Sequence, residues 1–96
     1  MYGTVAKFRT KPGSESKLRE IVQSYEGLKI PGHKSTTVYR MDSNPNEYYM
    51  TVIFNDKDSY TKNADSPEQD ARYRQMVALL EGDPEWHDGE IIYSAP

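Results

Sequence analysis

The amino-acid sequence predicts a single α+β domain in which two helices cover one side of a four-stranded antiparallel sheet. Three observations predict it: short runs rich in β-branched and aromatic residues, two segments with apolar residues at helical spacing, and turn-forming residues between them. The elements follow the order strand, helix, strand, strand, helix, strand, which is that of a ferredoxin-like fold. The 96 residues suit one domain, 1–96, with no linker and no internal repeat.

The first strand and the first helix are separated by a clear break. Residues 2–10, YGTVAKFRT, have a strand's composition, and KPG ends the strand. Ser14 is placed to cap the helix, with Glu15 in the first turn, where the helix dipole favours an acid. Gly27 is placed to end this helix. Apolar residues recur between these ends at spacings of three and four, which predicts one buried stripe: Leu18, Ile21, Val22, Tyr25 and Leu28.

Two strands follow the turn at IPG. They are residues 34–41, KSTTVYRM, and residues 48–55, YYMTVIFN, and the turn-forming segment DSNPNE connects them. In the later strand Tyr48, Met50, Val52 and Phe54 face one way, and Tyr49, Thr51, Ile53 and Asn55 face the other. Both faces are largely apolar, which predicts that the sheet is covered on both sides. Because two helices cover only one face, a second subunit is expected on the other.

The second helix has the clearest start in the chain. Ser66 is the N-cap, Pro67 takes the first helical position, and Gln69 is placed for a capping box. Its buried stripe is predicted to be Tyr73, Met76, Val77 and Leu80. Before this helix, Asp56 or Asp58 is placed to cap a short helical segment around Tyr60.

The C-terminal part of the chain holds the only tryptophan. Gly82 and Pro84 end the second helix, and GEIIYS, 89–94, is the predicted last strand, so DPEWHDGE, 83–90, is the predicted connector. Trp86 is then expected to anchor this connector under the sheet edge or against a partner subunit. His87 would point to the opposite side, because neighbours on an extended chain alternate.

Composition excludes several classes of function. A net charge of -3, with acids concentrated at 81–90, argues against nucleic-acid binding. The absence of cysteine excludes disulfides, thiolate metal sites and thiol nucleophiles. No apolar run approaches the roughly 20 residues of a membrane helix, and the N-terminus lacks the apolar core of a signal peptide. A cytoplasmic protein without membrane contact is expected.

The candidate catalytic residues are His87, Asn55 and Arg40. An imidazole such as that of His87 can transfer a proton near neutral pH. The amide of Asn55 and the guanidinium of Arg40, both at strand ends, can hold a carbonyl or an anionic oxygen. Each has a simpler alternative: His87 can be solvated in a loop, and Arg40 can pair with Asp42 or Glu47.

Aromatic side chains supply the candidate ligand-binding residues, because their rings form flat apolar walls and their hydroxyls can orient a ligand. They are Tyr39, Tyr48, Tyr49, Tyr60, Tyr73 and Trp86, together with His33 at the start of a strand. The alternative for each tyrosine is ordinary packing with a solvated hydroxyl. The two histidines lie far apart without acids at ligand spacing, so no metal and no cofactor are expected.

The chain resembles the antibiotic biosynthesis monooxygenase-like superfamily, the dimeric α+β barrels. KPG before the first helix, IPGHKSTTVYR, DSNPNEYYMTVIFND and YTKNADSPEQ carry the resemblance, which covers nearly the whole chain. It implies a homodimer whose two sheets pack together, with a cleft between sheet and helices in each subunit. Characterised relatives include cofactor-independent oxygenases of polycyclic phenols, haem-degrading monooxygenases, and small isomerases or lyases. The oxygenases use an electron-rich aromatic substrate as its own reductant and need no flavin or metal.

The sequence departs from the family pattern at three positions. Phe54 stands where relatives often end the third strand on tryptophan, and Asn63 and Gln69 stand in a region where histidines are common. Loss of imidazole there removes the usual general base and haem ligand. Two functions are therefore expected from different classes: a cofactor-independent monooxygenase acting on a small aromatic or polyketide-like substrate, or a non-catalytic dimeric protein that binds a small ligand or a partner.

Overall fold

A computed structural model describes the chain from residue 1 to residue 96. Its elements are β1 Tyr2–Arg9, α1 Glu15–Gln23, β2 His33–Arg40, β3 Glu47–Phe54, α2 Lys57–Ala64, α3 Pro67–Val77 and β4 Glu85–Glu90. All strand pairs are antiparallel, in the order β2-β3-β1-β4. The predicted ferredoxin-like α+β fold is confirmed, with the short segment around Tyr60 present as a separate helix.

Side-chain caps start two of the three helices. The Asp56 carboxylate accepts a 2.8 Å hydrogen bond from the Ser59 backbone N–H at the start of α2. The Ser66 hydroxyl accepts a 3.1 Å bond from the Gln69 backbone N–H at the start of α3. Ser14, in contrast, makes no side-chain cap. The predicted capping role is therefore correct for Ser66 and wrong for Ser14.

Helix α1 ends before the predicted glycine. It stops at Gln23, and the chain continues in tight turns, with the Tyr25 N–H donating to the Val22 carbonyl at 3.1 Å. Such bonds between residues three apart tighten and then terminate a helix. As a result Tyr25 lies beyond the helix, and Leu28 is exposed rather than part of a buried stripe.

The pairing register decides which side chains face the helices. Residues directly paired on neighbouring antiparallel strands share a face. Two cross-strand rows on the helix side are Thr36–Val52–Thr4–Asp88 and Val38–Met50–Ala6–Trp86. The core at this face contains Ala6, Phe8, Leu18, Tyr48, Met50, Met76 and Leu80.

The last strand differs from the prediction. β4 is Glu85–Glu90, inside the stretch predicted as a connector, whereas Ile92 and Tyr93 lie outside any strand and are 93% and 82% exposed. β4 pairs with β1 from Lys7 opposite Glu85 to Tyr2 opposite Glu90, so the start of β1 is reached before the apolar run begins. The β-favouring composition of IIYS therefore has no strand to pair with, and Trp86 lies in the sheet rather than under its edge.

The outer sheet face has no helix over it. Val5 is 45% exposed and Tyr39 is 54% exposed on this side. Lys7 places its amine 6.0 Å from the centre of the Tyr49 ring and 3.1 Å from Glu47. The hydrogen bond and the charge of Glu47 raise the pKa of Lys7. In the single chain this face meets solvent.

The helices are short. The longest, α3, has 11 residues, and no helix is long and apolar enough to cross a membrane.

Candidate functional site

A cavity of about 640 Å³ lies between the sheet and the helices, within the size range of small-molecule sites. The sheet supplies its floor: Thr4, His33, Thr36, Met50, Val52, Phe54, Trp86 and Asp88. The helices and the segment after α1 supply its roof: Ile21, Val22, Tyr25, Glu26, Ile30, Tyr60, Asn63, Ala64, Gln69, Asp70, Tyr73 and Met76.

Aromatic rings form the walls of this cavity. Trp86 from β4 lies 6.0 Å, centre to centre, from Tyr73 of α3. Its cross-strand neighbour is Ala6, whose small side chain leaves the indole room to lean toward the helix. On the other side Phe54 and Tyr60 meet edge to face at 5.5 Å. Rings placed in this way offer flat apolar surface to a planar ligand.

A polar corner of three side chains interrupts the apolar floor; we define it as Thr4, Tyr60 and Asp88. The Tyr60 hydroxyl donates a 2.9 Å hydrogen bond to Oδ1 of Asp88. Burial raises the pKa of Tyr60 to about 12, and the Asp88 carboxylate adds to the rise. Tyr60 is therefore a neutral hydrogen-bond donor across the physiological range.

Thr4 is the buried member of the polar corner. It is 5% exposed, and its Oγ1 has no hydrogen-bond partner in the chain. It lies close enough to Tyr60 to oppose the rise in that residue's pKa, but without hydrogen-bond geometry. A buried hydroxyl without a partner is uncommon, because leaving it unsatisfied costs about 1–3 kcal/mol.

His33 supplies an imidazole on the opposite side of the floor. Its Nε2 lies 2.8 Å from Oγ1 of Thr36, and its ring meets Phe54 edge to face at 5.4 Å. The turn before it is fixed by Gly32, which has φ +81° and packs against Ser59 of α2. The Gly32 carbonyl also accepts a 2.8 Å bond from the Asn55 N–H. Contacts with Thr36 and Phe54 thus hold the imidazole at the cavity.

The roof carries two amides, Asn63 and Gln69. The side-chain oxygen of Gln69 accepts hydrogen bonds of 3.2 and 3.1 Å from the Arg72 guanidinium, and these bonds fix the orientation of the Gln69 amide. The same guanidinium lies 5.4 Å from the centre of the Tyr25 ring. Burial raises the pKa of Tyr25, and Arg72 acts against that rise. These contacts tie the segment after α1 to α3 over the cavity.

A second, polar groove of about 580 Å³ adjoins the cavity. Ile30 and Asn63 line both, so they form the boundary between them. The groove is lined mainly by polar and charged residues, and Asn55 is among them. Ile30 and Asn63 thus separate the aromatic cavity from the polar groove.

Four of the predicted ligand-binding residues line the cavity: His33, Tyr60, Tyr73 and Trp86. The remaining three do not. Tyr48 is buried in the core, stacked on Phe8 at 5.5 Å. Tyr39 and Tyr49 are cross-strand partners on the outer face. Alternation along β2 and β3 explains why Tyr39 and Tyr49 are excluded, since only every second residue of a strand faces the helices, whereas Tyr48 faces the helices but packs in the core.

The three predicted catalytic residues do not converge. His87 lies on the outer face of β4, 3.9 Å from Glu85. Arg40 forms a 2.8 Å salt bridge with Glu15 at the start of α1, and not with Asp42 or Glu47. Asn55 lies beyond the end of β3, at the polar groove. The three predicted catalytic side chains therefore lie in three separate places, and none of them lines the cavity.

Thr4 and Asp88 of the polar corner were missed from the sequence, and Asn63 and Gln69 were noted only as departures from a family pattern. The signal for Asp88 was its spacing of two from Trp86, which places both on one face of a strand. The prediction of 83–90 as a connector hides this signal. Nothing in the sequence marks Thr4, because its importance lies in its position opposite Asp88.

The structure contains no group of three or more His, Cys, Asp or Glu side chains arranged to hold a metal ion. The cavity brings together His33 and the carboxylates of Glu26, Asp70 and Asp88, but not at shared-ligand distances. Of these carboxylates, Asp70 is paired with Arg74 at 3.0 Å.

Solved structures with the same fold span almost the whole chain. One is a variant of SnoaB, a cofactor-independent oxygenase from Streptomyces nogalater, in which an asparagine is replaced by alanine. It is 16% identical to this chain with a TM-score of 0.84, and the match covers 99% of this chain and 96% of SnoaB. A conserved protein from Methanosarcina mazei Go1 is 22% identical with a TM-score of 0.80, covering 92% and 89%. A protein of unknown function from Nitrosomonas europaea is 16% identical with a TM-score of 0.79, covering 99% and 92%. At these identities the likeness shows the fold alone.

The sequence itself matches one family. No curated protein matches it. The family described as antibiotic biosynthesis monooxygenase matches residues 1–75, from β1 through most of α3. This segment supplies every part of the cavity except Met76 of α3 and the two side chains of β4, Trp86 and Asp88. With that match over most of its length, the chain belongs to the antibiotic biosynthesis monooxygenase family.

Proposed function

We propose that the protein is a cofactor-independent monooxygenase that oxidises a small, electron-rich aromatic substrate bound in the cavity. One observation carries the proposal: the aromatic-walled cavity contains an imidazole, His33, and an amide, Asn63, facing a space large enough for a fused-ring phenol. A planar apolar ligand is held by the rings, and the polar groups are few and placed at the edges, as in small-molecule sites generally.

The proposed reaction converts a benzylic CH2 group to a carbonyl, with dioxygen as oxidant and water as the second product. His33 accepts a proton from the CH2 group, which leaves an electron-rich enolate. The enolate gives one electron to dioxygen, and the resulting radical and superoxide combine in a C–O bond to form a peroxide. Loss of water from the peroxide, with the proton returned by His33, leaves the carbonyl. The substrate supplies all electrons, so the balance needs no other reductant.

The roof residues are suited to the charge that develops. The Asn63 NH2 group can donate to the enolate oxygen, and a donor placed before the reaction stabilises developing charge. The structural likeness to SnoaB, a cofactor-independent oxygenase, supports such chemistry in this fold. The family match supports oxygenase chemistry more generally.

Oxygen uptake tests the proposal directly. Purified protein is incubated with a panel of anthrones and hydroquinones in an oxygen electrode, beside heat-denatured protein and an Asn63→Ala variant. We expect uptake above the denatured control with at least one compound, and a reduced rate in the variant. Because Trp86 is the only tryptophan and lines the cavity, its fluorescence reports binding independently. A fluorescence change without oxygen uptake would support the non-catalytic ligand-binding alternative. The absence of both responses would contradict both functions.

We also propose that the outer sheet face pairs with the same face of a second copy. Its central row is Thr37–Thr51–Val5–His87, with Val5 exposed, and the charged side chains Lys7 and Glu85 lie in the next row, Tyr39–Tyr49–Lys7–Glu85. Burial of exposed apolar area at about 25 cal/mol per Å² favours association of such faces. The family resemblance implies the same arrangement.

Light scattering coupled to gel filtration tests this pairing. We expect a mass of twice 11.1 kDa for the native protein. Val5→Glu places a charge at the centre of the face and should shift the mass to that of one chain. Ile92→Glu, at an exposed position outside the sheet, is the matched control and should stay dimeric. A native protein of single-chain mass at micromolar concentration would overturn the pairing.

A further inference from the structure

The proposed reaction does not use the polar corner of the cavity. Asp88 forms no salt bridge, and its hydrogen bond from Tyr60 occupies only Oδ1. Its second carboxylate oxygen is left without a protein donor. The carboxylate lies in the same cross-strand row as Thr4, so both groups are on the cavity floor.

The three groups at this corner are matched as hydrogen-bond acceptors. Thr4 Oγ1 is buried and has no partner. Tyr60 uses its proton on Asp88, so its oxygen lone pairs remain free. The corner therefore offers three acceptor oxygens, one of them charged, and the only proton that it can still donate is that of the Thr4 hydroxyl. A group with several N–H donors and a positive charge fits such a set.

No lysine or arginine is among the residues that line the cavity, so no cation of the chain occupies this corner. Arg72 is bonded to Gln69 and contacts Tyr25 at the other end of the roof. Arg74 is paired with Asp70. Lys57 has its amine 5.9 Å from the centre of the Tyr2 ring and is outside the cavity lining.

We infer that the polar corner binds an ammonium group carried by the aromatic ligand. The ammonium donates to the free oxygen of Asp88, to Thr4 Oγ1 and to the Tyr60 oxygen. The indole of Trp86, next to Asp88 on the same face of β4, offers its ring to the cation as well. This inference rests on one part of the proposed function, namely that the cavity binds an aromatic molecule. It adds that this molecule carries a basic nitrogen.

The cavity is correspondingly unsuited to an anionic ligand. Glu26 at the rim forms no salt bridge and adds a second unpaired carboxylate. An aromatic carboxylate in this space meets the like charges of Asp88 and Glu26. Since both acids are solvent-exposed, the discrimination weakens as salt screens it, over a distance of about 10 Å at 0.1 M.

Three probes of nearly equal shape test the inference: naphthylmethylamine, naphthylmethanol and naphthoate, titrated calorimetrically at neutral pH and low salt. We expect the amine to bind about tenfold more tightly than the alcohol, in line with a charged hydrogen-bonded contact, and naphthoate to bind most weakly. The preference should shrink in high salt.

Variants locate the effect. Asp88→Asn should reduce the preference for the amine to about twofold or less, by removing the charge-assisted contact, while affinity for the alcohol stays nearly constant. Thr4→Val keeps the shape and should weaken amine binding by about fivefold through loss of one acceptor. Asp42→Asn, an exposed acid outside the cavity lining, is the matched control and should leave all three affinities unchanged. Thermal melts confirm that each variant is folded before titration.

The outcomes separate this inference from the proposed function. Equal binding of the amine and the alcohol, or a preference that persists in Asp88→Asn, overturns the ammonium site and leaves the aromatic cavity intact. Failure of all three probes to bind overturns both. Amine selectivity without oxygen uptake by any substrate supports the ammonium site and contradicts the oxygenase.

Discussion

The Tyr60 hydroxyl donates a 2.9 Å hydrogen bond to Asp88, which joins helix α2 to the last strand at the edge of the cavity. The two residues are 28 positions apart, and α3 lies between them in the chain. The bond therefore fixes the width of the cavity at this edge. It also keeps the phenol neutral, because burial and the neighbouring carboxylate both disfavour the phenolate.

The raised pKa of Tyr60 predicts a pH dependence of stability. The folded-state value is about 12 and the ordinary value is 10.0, so the unfolded chain loses this proton first. The contribution of the Tyr60 hydroxyl to the free energy of unfolding is fully present below pH 10 and is lost as pH rises toward 12. Tyr60→Phe should therefore lower the free energy of unfolding by about 1 kcal/mol at neutral pH. The variant should also lose less stability than the native protein as pH rises above 10. Urea unfolding at several pH values measures both.

The control for that measurement is Tyr93→Phe. Tyr93 is 82% exposed and outside any strand, so this variant should follow the native protein at every pH. If Tyr60→Phe and Tyr93→Phe have the same alkaline profile, the bond to Asp88 does not contribute as described.

The two histidines predict opposite effects on oxygen uptake. His33 lines the cavity, whereas His87 lies on the outer sheet face. His33→Gln should lower the rate about a hundredfold or more, as expected for loss of a general base. His87→Gln should retain the native rate per chain. Steady-state oxygen consumption with the best substrate of the panel measures this, and a large loss in His87→Gln alone would restore the role predicted from the sequence.

Gly32 holds the turn that delivers His33 to the cavity. Its φ of +81° is unfavourable for other residues, and an added Cβ would lie 2.4 Å from Ser59. We expect Gly32→Ala to lower the free energy of unfolding by about 2 kcal/mol. Gly27→Ala is the matched control, since its Cβ would meet no atom within 4 Å and its φ is not positive. Denaturant unfolding of both variants decides the matter, and equal stabilities would argue against strain at Gly32.

The two serine caps allow a similar comparison. The Ser66 hydroxyl accepts a bond from Gln69, and Ser14 makes no side-chain cap. Ser66→Ala should cost about 1 kcal/mol of stability, the usual value of an N-cap. Ser14→Ala should change stability by less than about 0.5 kcal/mol. Thermal unfolding measures both changes, and a larger loss at Ser14 would show that α1 is capped in solution.

Local patterns were sufficient for most elements. Alternation correctly placed Tyr48, Met50, Val52 and Phe54 on one face of β3, because an extended backbone sends neighbouring side chains to opposite sides. The start of α3 was equally clear, since a serine before proline satisfies the first N–H groups of a helix. Both are short-range effects, so no tertiary information was needed.

The site was less predictable, because it depends on strand register. The composition of IIYS favoured a strand, yet β4 lies earlier, where β1 offers partners. That shift carries Trp86 into the cavity wall and brings Asp88 opposite Thr4.

The sequence by itself determined the α+β fold, the order of its elements and the helix-facing side of β3. Only the tertiary structure decided that Thr4, Tyr60 and Asp88 meet, that His33 rather than His87 reaches the cavity, and that Arg40 turns to Glu15. The physical reason is that local propensity and periodicity act over a few residues. Pairing between distant strands sets which side chains share a face, and a one-residue change in register reverses every one of them.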